Sequence, residues 1–181
     1  MFNFLLKRKI KNIIKNSTRK KAYKNLKEIN TVLVLFDTEN YTDADRFIKK
    51  LKQMGKKVDT YAYKSKTDPN DYSKTFYTIV QDKDRKDLKA TVLNQIRDTL
   101  KETTYDLVID LSLAENLLLQ YILVSADSSF KVGLYKSRPP VHDMTILPAP
   151  DIDLNRYTLV KELSEQLIYY LTTISSETAK A

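Results

Sequence analysis

Apolar residues along this chain fall into two alternating rhythms. Short apolar runs bounded by polar residues read as strands: Thr31–Phe36 (TVLVLF), Val58–Tyr63, Phe76–Val80, Leu107–Leu111, Phe130–Tyr135 and Met144–Leu147. Between them, apolar residues spaced by three and four read as helices. One runs from a Thr42 or Asp43 cap to about Met54, with Ala44, Phe47, Ile48 and Leu51 inward and Gly55 as its stop. The others are expected over about 86–101, 114–126 and 154–174. The most patterned stretch is Tyr105 to Ser137, strand, helix and strand within the length of one βαβ unit. This alternation predicts an α/β fold: a single doubly wound, mainly parallel, Rossmann-like sheet over 29–175. A basic amphipathic helical arm precedes it over 1–28, and 176–181 reads as a frayed tail. Ligands of such sheets sit at the carboxyl ends of the strands. Asp37 and Asp110 fall there.

Composition narrows the chemistry. Two glycines in 181 residues leave no Gly-rich phosphate loop, and neither Gly55 nor Gly133 belongs to a nucleotide fingerprint. There is no cysteine, which removes thiolate zinc sites, disulfides and thiol redox chemistry. No cofactor is expected. His142 is the single histidine and is expected to be a polar loop residue.

The net charge of +8 is concentrated at one end. Residues 1–27 hold ten Lys/Arg and no acid, leaving 21 basic against 23 acidic residues in the remainder. Such asymmetry signals a partner. Apolar residues Phe2, Leu5, Leu6, Ile10, Ile13 and Ile14, then Ala22, Tyr23 and Leu26, follow helical spacing, and Ser17-Thr18 offers a cap for a helix restart. Lys7-Arg8-Lys9 interrupts the apolar run Phe4-Leu5-Leu6, unlike a secretory signal. Three uses of the arm are open. Its apolar face packs on the domain. Or Lys7, Arg8, Lys9, Lys11, Lys15, Arg19, Lys20 and Lys21 contact phosphates of RNA or a ribosomal surface. Or the helix lies on an anionic membrane surface, with Phe2, Phe4, Leu5 and Leu6 inserted.

The segment LVLFDTENY resembles the first motif of PIN-like nucleases of the NYN type. That resemblance implies a metal-dependent ribonuclease using Asp37, Asn40, Asp110 and Asp127, with magnesium or manganese. VSADSSF, Val124–Phe130, departs from the family's second acidic motif: Ala126 replaces a glycine and Ser129 an acid. Phosphotransferases of the haloacid-dehalogenase type are a poorer match, because Glu39 stands where they need an aspartate. DLVIDL, the apolar helix and FKVGLY are similar to the amino-terminal half of GT-B glycosyltransferases of the heptosyltransferase type. The donor-binding half is missing from that likeness. The chain resembles, along nearly its whole length, an uncharacterised family of short bacterial α/β proteins known as a domain of unknown function. The likeness rests mainly on Asp106, Asp110 and the tetrapeptide Phe130-Lys131-Val132-Gly133. It implies a Rossmann-like fold and no activity.

The expectation is therefore a non-catalytic cytoplasmic α/β protein that binds RNA or a ribosomal surface through its basic helix. A ribonuclease and a membrane-surface adaptor are the alternatives. The chemistry of the chain leaves its oligomeric state and any small-molecule ligand undefined.

Overall fold

A computed structural model describes residues 2–81, 90–134, 141–147 and 156–174. Its six strands are β1 (Thr31–Asp37), β2 (Lys57–Lys64), β3 (Thr78–Gln81), β4 (Tyr105–Asp110), β5 (Ser128–Leu134) and β6 (Met144–Ile146). They form one sheet in the order β3-β2-β1-β4-β5-β6, with every neighbouring pair parallel. The described helices are α1 (Phe2–Lys15), α2 (Tyr41–Gln53), α3 (Ala90–Lys101), α4 (Leu117–Ser125) and α5 (Arg156–Thr173). The chain winds outward from β1 to β3, returns to β4 beside β1, then winds outward to β6. This is the strand order of a dinucleotide-type Rossmann sheet, and the winding reverses between β1 and β4.

Each face of the sheet has its own core. Val32, Val34 and Phe36 of β1 join Leu107 and Ile109 of β4 under α2 and α5. Leu33 and Leu35 join Val108 under α1, α3 and α4. The central strands are buried on both faces, hence their continuous apolar runs. Six of the nine residues of α4 are buried, from Leu118 round to Val124. Its start is fixed by Asn116, whose side chain accepts from the Leu118 and Leu119 amides at 2.9 and 3.2 Å. A helix apolar on all sides needs cover beyond the sheet. Helix α1 supplies it with Leu6 and Ile10, which are 1% and 3% exposed.

Several elements differ from expectation. The arm is helical only to Lys15, and no second helix starts at Ser17. Residues 16–30 cross the sheet's amino edge without helix. The Ala22 amide donates to the Ser129 carbonyl at 3.1 Å, and the Leu26 amide to the Leu171 carbonyl at 2.8 Å. Tyr23 packs edge-on against Phe130. So Leu26 is buried and Ala22 half-buried through tertiary contact and not helical period, while Tyr23 meets Phe130 and stays 38% exposed. β3 starts at Thr78, and Phe76 is 98% exposed. Tyr77 takes the inner position instead, its ring against Phe36 and its hydroxyl donating to Asp45 at 2.5 Å. A turn of 3-10 helix, Thr38–Asn40, brings α2 in at Tyr41, ahead of the expected cap. The expected helix start near 86, the strand end at Tyr135 and the tail 176–181 lie outside the described residues. No described helix is long and apolar enough to cross a membrane.

If α1 is part of the core, Leu6→Ala should cost about 2–4 kcal/mol in equilibrium denaturation, while Leu5→Ala, half exposed, should cost little.

Candidate functional site

Asp37 closes β1 and Asp110 closes β4, side by side at the winding reversal. Asp110 lies opposite Leu35, and Asp37 stands two residues further on. Strand alternation puts both on the α4 side of the sheet, with Leu35 and Val108. Beyond them opens a crevice of about 590 Å³, lined by Asp37, Glu39, Asn40, Tyr63, Asp68 and Glu115 among others. Asn40 precedes α2 without a side-chain capping bond. Asp37 accepts from the Leu113 amide at 3.2 Å. Asp68 accepts from the Thr38 and Tyr72 hydroxyls and the Asn70 amide. Burial alone would raise its carboxyl; these bonds outweigh burial and hold it below the usual carboxylate range.

Asp110 is buried and well partnered. One oxygen accepts from the Ser112 amide at 3.0 Å and from the Ser112 hydroxyl. The other lies 3.2 Å from Nε2 of His142. His142 is thus no ordinary polar loop residue: its side chain is 7% exposed and lies over β5. The seat is made by Gly133, paired with Asp110 across the strands. A Cβ at Gly133 would stand 2.6 Å from His142 Nε2 and 3.0 Å from the Asp110 carbonyl. A glycine inside a strand is the sequence signal of such a close approach.

Asp127 does not join this group. It lies before β5 at the sheet's amino edge, where its carbonyl accepts from the Tyr105 amide and its carboxylate from the Thr104 hydroxyl. The length of β4 separates it from Asp110, about 16 Å. A metal shared by Asp37, Asn40, Asp110 and Asp127 would need them within two metal–oxygen bonds of each other. Among the described residues no group of three or more His, Asp or Glu is placed to hold a metal ion.

The basic arm divides into two parts. Lys7, Arg8, Lys9, Lys11 and Lys15 are exposed on the outer side of α1, and Lys20 is exposed just beyond it. Among the described residues none of the six makes an ion pair. Arg19 and Lys21 instead pair with Asp143 within the protein, apart from the outer side of α1. The Arg19 guanidinium grips Asp143 at 2.7 and 2.6 Å and donates to the Ser128 and Ser129 carbonyls. Lys21 reaches Asp143 at 3.1 Å and stays largely exposed. Burial alone would raise the Asp143 carboxyl, but the Arg19 and Lys21 contacts hold it below its ordinary range. Asp106 clasps the other end of the segment, accepting from Lys24 and from the Asn30 and Thr31 amides. Beneath them lies Lys131, whose Nζ donates to the Leu123 and Ala126 carbonyls at 2.5 and 3.0 Å, closing the C-terminus of α4. Burial, then the nearby Arg19 charge, push its amine down to about 7. Sequence reasoning missed Asp143 and Lys131; Lys131 sits in FKVG, and Asp143 carried no local signal.

An all-parallel six-stranded sheet in this order, with acids at its winding reversal, defines a Rossmann-like α/β protein. The chain belongs to DUF6913, a family of unknown function whose model matches residues 3–174. No curated protein matches it. The crystal structure of an exopolyphosphatase-related protein from Bacteroides fragilis is similar at TM-score 0.50 and 11% identity, over 91% of this chain and 44% of that one. This chain therefore spans less than half of that protein's length. A probable oxidoreductase from Mycobacterium abscessus aligns at TM-score 0.39 and 14% identity, over 81% of this chain and 44% of its own. At 11% identity the likeness to the exopolyphosphatase-related protein concerns the fold alone.

Gly133→Ala should destabilise the protein by about 1–3 kcal/mol, and the cost should shrink in a His142→Ala background, as read by a double-mutant denaturation cycle. Lys131 makes a pH prediction. Its amine falls to about 7 from 10.5, so between those values the unfolded chain binds more protons and stability rises with pH. Below pH 7 both states are protonated and the cost of burying the charge is constant. From pH 7 to about pH 9.5 the wild type should therefore gain about 1–3 kcal/mol relative to Lys131→Met in chemical denaturation.

Proposed function

We propose that the protein is an RNA-binding α/β protein, with the outer face of α1 as its phosphate-contacting surface. One observation carries this: Leu6 and Ile10 fix α1 to the domain, and its five cations, Lys7, Arg8, Lys9, Lys11 and Lys15, face outward without acidic partners among the described residues. An array of cations held on a rigid helix displaces counterions from a polyanion without first ordering itself. Arg19 and Lys21 are outside this surface, because Asp143 holds them.

A second reading draws on Phe4 and Leu5, which are 69% and 50% exposed beside Arg8 and Lys11. Apolar side chains among cations also suit an anionic membrane surface. The ribonuclease reading draws less support, since Asp127 lies at the far edge of the sheet.

Titration of a single-stranded RNA at several salt concentrations separates these readings. RNA binding through the five cations should give log K against log salt a slope of about −3 to −4. Lys7→Glu/Lys11→Glu/Lys15→Glu should abolish binding, and Phe4→Ser/Leu5→Ser should leave it within about twofold. Salt-independent or absent RNA binding by the intact chain refutes the proposal. Co-sedimentation with anionic vesicles that is lost in the serine variant would favour the membrane surface instead.

A further inference from the structure

We propose that the cavity between the C-terminal turns of α1 and α4 is a binding site for a small tetrahedral anion of the phosphate class, held by Lys131, Lys21 and Arg19. The cavity measures about 230 Å³. Its polar lining is Ser17, Arg19, Lys21 and Lys131, and its apolar walls include Ile13 and Val124. It is separate from the outer face of α1 and does not depend on the RNA reading.

Charge around the cavity is unbalanced. Among the described residues three basic side chains line it and no acid does. The carboxylate of Asp143, paired with two of them, is consumed: it accepts from Arg19, Lys21 and the Lys131 amide. Asp127 acts on Lys131 only weakly and accepts from Thr104 instead. Helix C-termini normally repel anions through their last carbonyls. Here two of them are occupied, Leu123 by Lys131 and Ile14 by the Ser17 amide. Lys131 has three donors when protonated and spends two on carbonyls, leaving one for a ligand.

An anion in the cavity would favour the charged amine, so binding and protonation are linked. Burial and Arg19 hold Lys131 at about 7, so it changes charge near neutrality. Sulfate is the suitable probe because it stays a dianion across this range. Calorimetric titration of the intact protein with sulfate at constant ionic strength should show binding about tenfold tighter at about pH 6 than at about pH 8.5. His142 packs over Gly133, two residues along β5, so variants decide the assignment. Lys131→Met should remove the pH dependence. Lys21→Ala, a change at a largely exposed side chain, should weaken binding at about pH 6 by about fivefold. The proposal is overturned by absence of saturable sulfate binding at about pH 6, or by binding that Lys21→Ala leaves unchanged. Displacement of sulfate by a 5′-phosphorylated oligoribonucleotide, and not by its 5′-hydroxyl form, assigns the ligand as an RNA end. Displacement by inorganic phosphate alone assigns a free anion. Failure of both overturns the phosphate class.

Discussion

Helix α4 is apolar on nearly every side, and the rest of the structure answers to that. The sheet takes one side and α3 another, which leaves a third that water cannot cover cheaply. Leu6 and Ile10 of α1 close it. Once those two residues point inward, helical geometry forces the lysines and arginine of α1 outward. The basic face is therefore a consequence of packing as well as a candidate function. The arm shares the core on the α4 face of the sheet.

The connection between α1 and β1 is fastened by carboxylates at two points. Asp143 holds Arg19 and Lys21; Asp106 holds Lys24 and the first amides of β1. Asp143 is nearly inaccessible, and removing one partner of a buried pair costs about 3–5 kcal/mol. These clasps matter because residues 16–30 have little regular structure of their own. They turn a loosely patterned segment into a fixed strap, and the strap sets where α1 lies against α4.

The fold was legible because its central strands are β-branched runs and its helices carry three-four spacing. Asp37 and Asp110 were legible as strand ends, and their adjacency followed once β1 and β4 were neighbours. Other features depend on partners far apart in sequence. Arg19 meets Asp143 across 124 residues, and Asp110 meets His142 across 32. No local pattern encodes either contact. The helical spacing of Ala22, Tyr23 and Leu26 misled for the same reason: each is placed by contact with Ser129, Phe130 or Leu171, reached in a non-helical conformation. Gly133 carried a usable signal, since a lone glycine in a buried strand implies a close neighbour. That neighbour, the imidazole of His142, could be identified only in three dimensions.

Lys131 joins the structural and chemical readings. The Leu123 and Ala126 carbonyls at the end of α4 are in a buried place and need a donor. A charged lysine supplies donors at a heavy desolvation cost, and Arg19 beside it adds repulsion. A neutral amine still donates to both carbonyls and avoids that cost. Its lowered proton affinity and its capping role are thus one physical fact. The same balance leaves the amine responsive to charge: whatever brings a negative group into the adjoining cavity draws a proton onto Lys131, and whatever protonates Lys131 tightens the hold on that group. Linkage requires the two effects to be equal. A residue that closes a helix can in this way report on the occupancy of the space beside it.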